Sequence, residues 1–116
     1  MQFKDILYEV KGDYAYVTIN RPKVLNAFTP VTLQELKTAL DTAEKDKKVG
    51  IIVLSGAGDR AFCSGGDMNW ESSKDFQDHE YEFHIHLTKC TKPIIAKVNC
   101  YAIGGGNHMA YFCDLT

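Results

Sequence analysis

Two short segments constrain this chain most: Gly50 to Ser55 (Gly-Ile-Ile-Val-Leu-Ser), a continuous apolar run, and Pro93 to Val98 (Pro-Ile-Ile-Ala-Lys-Val), another strand of buried type. A strand with one wet face alternates apolar and polar residues, whereas an unbroken run suits a strand covered on both faces, as in a parallel sheet. Helical patterns alternate with these runs. From Val31 to Asp46, Leu33, Leu36, Leu40 and Ala43 recur at helical spacing, with Gln34, Glu35, Lys37, Asp41 and Glu44 on the opposite face. Thr29-Pro30 reads as an N-cap followed by proline at the first helical position. A second helix is predicted from Ser72 or Ser73 to about Cys90, with Phe76, Phe83 and Leu87 on one face, helped by Tyr81 and Ile85. Phe3 to Val10 and Tyr14 to Asn20 read as strands around a Lys11-Gly12-Asp13 turn. A last helix is predicted from Asn107 to Phe112. The order β-β-α-β-α-β-α predicts an α/β fold with a largely parallel sheet.

The 116 residues make one domain, without repeats or linkers. A net charge of −2 offers no basic excess for wholesale nucleic-acid binding, so any anion must be held by a few local residues. No run approaches a membrane span, and Met1-Gln2-Phe3-Lys4-Asp5 lacks the basic region and apolar core of a secretory signal, so none is expected. Cys63, Cys90, Cys100 and Cys113 form no CxxC pair and no zinc-like spacing, and predict reduced thiols in a cytoplasmic protein. His84 and His86 are two apart and so face different sides of a helix, which argues against a metal site with His79.

Two glycine-rich stretches carry the chemistry. Ala61 to Asp67 (Ala-Phe-Cys-Ser-Gly-Gly-Asp) and Tyr101 to Asn107 (Tyr-Ala-Ile-Gly-Gly-Gly-Asn) each place glycine just after a strand-like segment. Turns of this kind can aim two backbone N–H groups at one developing oxyanion. Neither is a phosphate loop, because no Lys-Ser or Lys-Thr closes it. The triple glycine also lacks the offsets and acidic partner of a dinucleotide fingerprint.

These motifs, with Asn20 to Phe28 (Asn-Arg-Pro-Lys-Val-Leu-Asn-Ala-Phe) and Lys92-Pro93, resemble the crotonase (enoyl-CoA hydratase/isomerase) superfamily in order and spacing over essentially the whole chain. The resemblance implies the N-terminal part of a crotonase-type ββα superhelix. It implies an acyl-CoA thioester partner whose enolate is held by the N–H groups of Gly66 and Gly105. Gly105 would stand at a helix N-terminus, which favours negative charge. It further implies that Lys23, Val24, Leu25 and Ala27 line the CoA pocket, with Ala61, Ser64, Gly65 and Asp67 also on the substrate side. Arg21, Lys23 and Arg60 are candidate phosphate contacts, of which only Lys23 matches by motif. No cofactor is implied beyond coenzyme A as part of the substrate, and relatives assemble as trimers and dimers of trimers. The Cys63 to Asp67 spelling and the closing Cys113-Asp114-Leu115-Thr116 are similar to the 1,4-dihydroxy-2-naphthoyl-CoA synthase and 2-ketocyclohexanecarboxyl-CoA hydrolase branch. For that branch the expected outcome is ring-forming or ring-opening carbon–carbon chemistry.

Two departures qualify the resemblance. Hydratases carry a catalytic glutamate two positions after the triple glycine, where this chain has His108. His108 is either a general base near neutrality or a packed, pocket-lining side chain. Family members are also well over twice as long, so a second acid/base residue is expected beyond Thr116. Asp67 reads as a catalytic acid or as a backbone cap, Asp114 as structural, and Trp70 and Tyr81 as acyl-group contacts or ordinary packing. The alternatives are an enoyl-CoA hydratase or isomerase, and a catalytically silent acyl-CoA binder or assembly protein. Finally, Ile51 to Leu54 and Ile94 to Val98 need cover on both faces, so an exposed apolar patch is expected.

Overall fold

The computed structural model describes residues 2–67, 76–98, 101–102, 105–111 and 113–114. Trp70, Ser72, Ser73, Cys100, Ile103, Gly104, Phe112, Leu115 and Thr116 lie outside them, as does the side chain of His108.

Strand β1 (Ile6–Lys11) pairs antiparallel with β2 (Tyr14–Ile19), with Lys11 opposite Tyr14 and Ile6 opposite Ile19. Gly12 takes φ +61° at the first turn position, which suits a tight two-residue hairpin. Strand β3 (Ile51–Gly56) runs parallel to β2, and β5 (Ile94–Lys97) parallel to β3, giving a sheet ordered β1-β2-β3-β5. The parallel sheet is therefore as the apolar runs predict.

Ala15, Ile52 and Ile94 lie side by side across this sheet, and so do Val17, Leu54 and Ala96. All six are buried, and α1 (Pro30–Lys45) contributes Leu33, Leu36, Ala39, Leu40 and Ala43 to the same core. Thr29 caps α1 by accepting from the Thr32 N–H, while the Thr32 hydroxyl accepts from the Thr29 N–H. Thr32 also donates to the buried Asp5 at 2.7 Å, and Glu35 accepts from the Lys4 and Asp5 backbone N–H groups. These bonds hold the helix start to the lead-in of β1.

The other face of the sheet is only partly covered. Val53 is buried between its in-register neighbours Tyr16 and Ile95, but Ile51 and Ile95 are only half-buried, and Leu7, Tyr14 and Tyr16 are exposed. Residues of β1 and β2 that point away from α1 form this open side.

Helix α2 (Phe76–Lys89) buries Phe83 and Leu87 and is joined to α1 by His86 to Asp41 at 2.9 Å and Lys37 to Glu82 at 3.7 Å. Two very short strands absent from the predicted order complete the fold. They are β4 (Ala61–Cys63) and β6 (Tyr101–Ala102), paired parallel in a separate two-stranded sheet. Helix α3 (Gly105–Tyr111) follows, beginning two residues earlier than periodicity suggests. Among the described residues, no helix is long and apolar enough to cross a membrane.

Candidate functional site

The segment after β2 leaves the sheet through a single 3-10 turn, Pro22–Val24. Proline fixes the φ that such a turn needs and ends the strand. Leu25 (φ +54°) and Asn26 (φ +58°) then both take the left-handed conformation, uncommon for a branched residue such as leucine but tolerated by asparagine. The Asn26 side chain explains how this is held. It is fully buried; its Nδ2 donates to the carbonyls of Ala57 at 3.0 Å and Ala61 at 2.8 Å, and its Oδ1 accepts from the Arg21 N–H at 2.9 Å.

That staple lays residues 24–28 alongside 64–67. The Ser64 N–H donates to the Leu25 carbonyl at 3.0 Å, the Phe28 N–H to Gly65 at 2.9 Å, and the Asp67 N–H to Phe28 at 2.7 Å. Phe28 and Gly66 thus form a parallel bridge in which Phe28 bonds to the two neighbours of Gly66 and not to Gly66 itself. The Gly66 amide points away from Phe28, and among the described residues it donates to no acceptor. Gly66 is buried, and Gly65 before it turns the chain at φ +106°, a conformation that favours glycine.

The second glycine motif is brought against the first by β4–β6, which pairs Ala61 with Tyr101 and Cys63 with Ala102. Gly105 opens α3 and Gly106 follows. A Cβ on Gly106 would stand 2.1 Å from the Cys63 carbonyl oxygen, so only glycine lets α3 sit this close to the first turn. Gly56 is equally confined, 2.2 Å from the Phe62 carbonyl oxygen by the same measure.

Lys23 and Val24 are exposed and border an open cleft of about 480 Å³ together with Arg21 and Asn20. Leu25 and Arg60 line a smaller hollow of about 70 Å³ beside Asn26. Ala27 is buried beneath the turn, and Ala61 within β4. Arg21 does not stand out as a free cation: its guanidinium donates to the Ala27 carbonyl at 2.5 Å and lies 3.6 Å from Asp67. Asp67 is thereby tied back to the strand-ending Arg-Pro step. Asp114 accepts from the Ile94 N–H at 2.8 Å and donates its own N–H to the Ile94 carbonyl, joining the end of the described chain to β5. Lys92 donates to the carbonyls of Ala43 at 2.8 Å and Asp46 at 2.5 Å, closing the C-terminus of α1.

The Cys63 thiol is pushed up to about 12 by burial, against a downward pull from its bond with Gly65 that outweighs the small upward contribution of the Glu80 charge. Cys113 is likewise pushed up to about 12 by burial and by Asp114. Both are neutral at physiological pH and are packing groups, as is half-buried Cys90, whose thiol is raised by burial. His84 meets Glu80 on its own helix while His86 turns to Asp41, the divergence their spacing predicts. Among the described residues, no three His, Cys, Asp or Glu side chains converge as metal ligands would. Tyr81 is 68% exposed and belongs to no core packing.

Three contributors escaped sequence reasoning. The roles of Asn26 as a staple and Gly106 as a contact surface depend on partners 30 or more residues away, and Lys92 acts on the far end of α1. The only local signal was that a third glycine followed the two needed for a turn.

Comparison with known proteins follows the same lines. Residues 9–116 match the family model described as enoyl-CoA hydratase/isomerase. An enoyl-CoA hydratase/isomerase of Xanthobacter autotrophicus is 30% identical with a TM-score of 0.89, covering 97% of this chain and 45% of its own. An enoyl-CoA hydratase subunit of Geobacillus kaustophilus is 33% identical with a TM-score of 0.88, covering 99% of this chain and 46% of its own. A crotonase-type protein of Legionella pneumophila is 30% identical with a TM-score of 0.87, covering 97% and 47%. The chain spans about half the length of these solved structures. With an α/β sheet, two glycine turns packed together and a family match over nearly all its residues, the chain belongs to the enoyl-CoA hydratase/isomerase (crotonase) family.

Proposed function

We propose that this chain carries the oxyanion half of an acyl-CoA site. The thioester carbonyl lies between the N–H groups of Gly66 and Gly105, and the charge that develops when the α-carbon loses a proton is held there. The observation that carries this reading is the Gly66 amide: buried, turned away from Phe28, and set in a turn against which Gly106 packs. Backbone donors fixed before reaction need no reorganisation when charge appears, and one such donor contributes roughly 3–4 kcal/mol. Lys23, Val24, Leu25 and Ala27 hold the CoA moiety, with Ala61, Ser64, Gly65 and Asp67 against the acyl end. Lys23 is the phosphate contact, since Arg21 is engaged by Ala27 and Asp67. The reading brings no cofactor beyond coenzyme A itself, and takes the protein to be a cytoplasmic homo-oligomer.

Two chemistries fit this half-site. Ring-forming or ring-opening carbon–carbon chemistry is favoured by His108 standing where hydratases carry glutamate. Hydration or isomerisation of an enoyl thioester is favoured by the solved relatives, all three of which are described as enoyl-CoA hydratases or hydratase/isomerases. Acetoacetyl-CoA tests the shared core, because it ionises readily and its enolate absorbs in the ultraviolet. The chain is expected to bind it and increase the enolate band, and Gly66→Pro, which removes the amide donor, to abolish the increase. Failure to bind would refute the reading, and binding without an increase would leave a silent acyl-CoA binder. Consumption of a cyclic β-keto thioester as against crotonyl-CoA then separates the two chemistries.

A further inference from the structure

The open cleft of about 480 Å³ beside the 3-10 turn has two walls. One is the Arg21 to Val24 segment; the other is the lead-in to β1, with Lys4 and Asp5. Both are fixed through their main chains. Glu35 clamps the second wall, its Oε2 accepting from the Lys4 N–H and its Oε1 from the Asp5 N–H, each at 2.7 Å. The Asn20 N–H donates to the Asp5 carbonyl at 2.8 Å and ties the walls together. The first wall is held by the Arg21 N–H on Asn26. Three cations therefore border one hollow, and they are not equivalent. Arg21 is occupied by Ala27 and Asp67. Lys4 and Lys23 are exposed, and among the described residues neither ammonium meets a hydrogen-bond or ion-pair partner. The one carboxylate of the cleft, Asp5, is buried and accepts from the Thr32 hydroxyl at 2.7 Å. Two unpaired like charges on fixed walls add nothing to the stability of the fold; they raise the potential of the cleft for an incoming anion.

We propose that Lys4 joins Lys23 in receiving the phosphomonoester of the CoA nucleotide, and that Lys4 sets a preference for CoA over dephospho-CoA thioesters. The inference rests on the acyl-CoA reading above. The nucleotide end of CoA offers two kinds of phosphate. Each phosphorus of the pyrophosphate is a diester and carries a single charge. The ribose phosphomonoester has a second pKa near 6, so it carries close to two charges at neutral pH and has three acceptor oxygens. Two ammonium groups on opposite walls match a doubly charged terminal group, each acting as a point charge with rotatable donors. Lys4 lies outside the Arg21 to Phe28 motif, so it enters the site only because β1 and β2 pair and bring the start of one beside the end of the other.

The test is calorimetric affinity for acetoacetyl-CoA and for acetoacetyl-dephospho-CoA, which lacks only the phosphomonoester. The unmodified chain is expected to prefer the first by about tenfold or more, and added salt to shrink that preference. Lys4→Met keeps the apolar stem and removes the charge. It should weaken acetoacetyl-CoA binding about fivefold and leave the dephospho thioester within about twofold. Lys4→Arg should retain most of the preference. The Lys4 side chain holds no other group, so the urea midpoint of Lys4→Met should match the parent; where it does not fold, Lys4→Gln decides by the same comparison. The proposal is overturned if the parent binds the two thioesters alike, if Lys4→Met weakens both equally, or if it weakens neither. Any of these with a normal acetoacetyl-CoA enolate band removes only Lys4 and leaves the oxyanion reading standing. A preference that collapses in Lys4→Met, in a parent that shows no enolate increase, keeps Lys4 and removes the oxyanion reading. Failure to bind either thioester removes both.

Discussion

The Asn26 side chain donates to the Ala61 carbonyl at 2.8 Å across 35 positions of sequence, and this bond places the loop after β2 on the first glycine turn. Asn26→Ala would strand the carbonyls of Ala57 and Ala61 and the Arg21 N–H, at about 1–3 kcal/mol for each unsatisfied buried group. A loss of about 3 kcal/mol or more is expected in urea unfolding. Asn26→Gly should recover roughly 1 kcal/mol of that, because glycine accepts the positive φ without strain. Equal midpoints for the two variants would show that backbone strain plays no part.

Gly106→Ala forces a methyl group into the Cys63 backbone, so α3 must shift or the fold must lose stability. Overpacking of this kind costs about 1–3 kcal/mol or more. Gly50→Ala is the contrasting substitution, since the nearest atom to its new Cβ is the Asp13 carbonyl oxygen at an ordinary 3.8 Å. It should be neutral or stabilise by about 0.4–1 kcal/mol through the unfolded chain. Paired denaturation curves check both, and comparable losses would contradict the close approach of Gly106.

Lys92→Met should uncap the end of α1. Two charge-assisted bonds to the Ala43 and Asp46 carbonyls disappear while the apolar stem is kept, for an expected loss of about 1–2 kcal/mol. Thermal unfolding should show Tm lower by about 5 °C. An unchanged Tm would mean that water replaces the ammonium at those carbonyls without penalty.

The cysteines give a chemical test. Cys63 and Cys113, held at about 12, should resist iodoacetamide at pH 8 until denaturant is added, while half-buried Cys90 is alkylated earlier. Peptide mapping by mass spectrometry reads the order directly. The pH dependence has a definite sign. A thiol that ionises near 9 unfolded and near 12 folded keeps its proton longer in the native state. Stability is therefore full below about 9 and falls as pH rises towards 12. Early alkylation of Cys63 in the native protein would contradict its burial.

Much of this architecture is legible from local patterns. Leu33, Leu36 and Leu40 mark α1 because a helix returns to the same face every three to four residues, and Thr29-Pro30 marks its start. The apolar runs mark β3 and β5 for the opposite reason, since no side of them needs to be polar. The β4–β6 ladder is not legible, because strands of three and two residues carry too few side chains to show a period. The candidate site was legible as two glycine turns but not as one place. What joins them is a backbone ladder and a missing Cβ, and neither has a local pattern.

The contact between Gly106 and Cys63 has a consequence for how such a site diversifies. At Gly106 the two turns approach main chain to main chain, the Cys63 carbonyl lying where a Cβ would stand. Residues around the turns can therefore be exchanged, lengthened or recharged without moving the turns relative to each other. A scaffold of that kind keeps one fixed gauge for an anion while its walls are redrawn for different acyl groups, which makes the wall residues the place to begin any redesign.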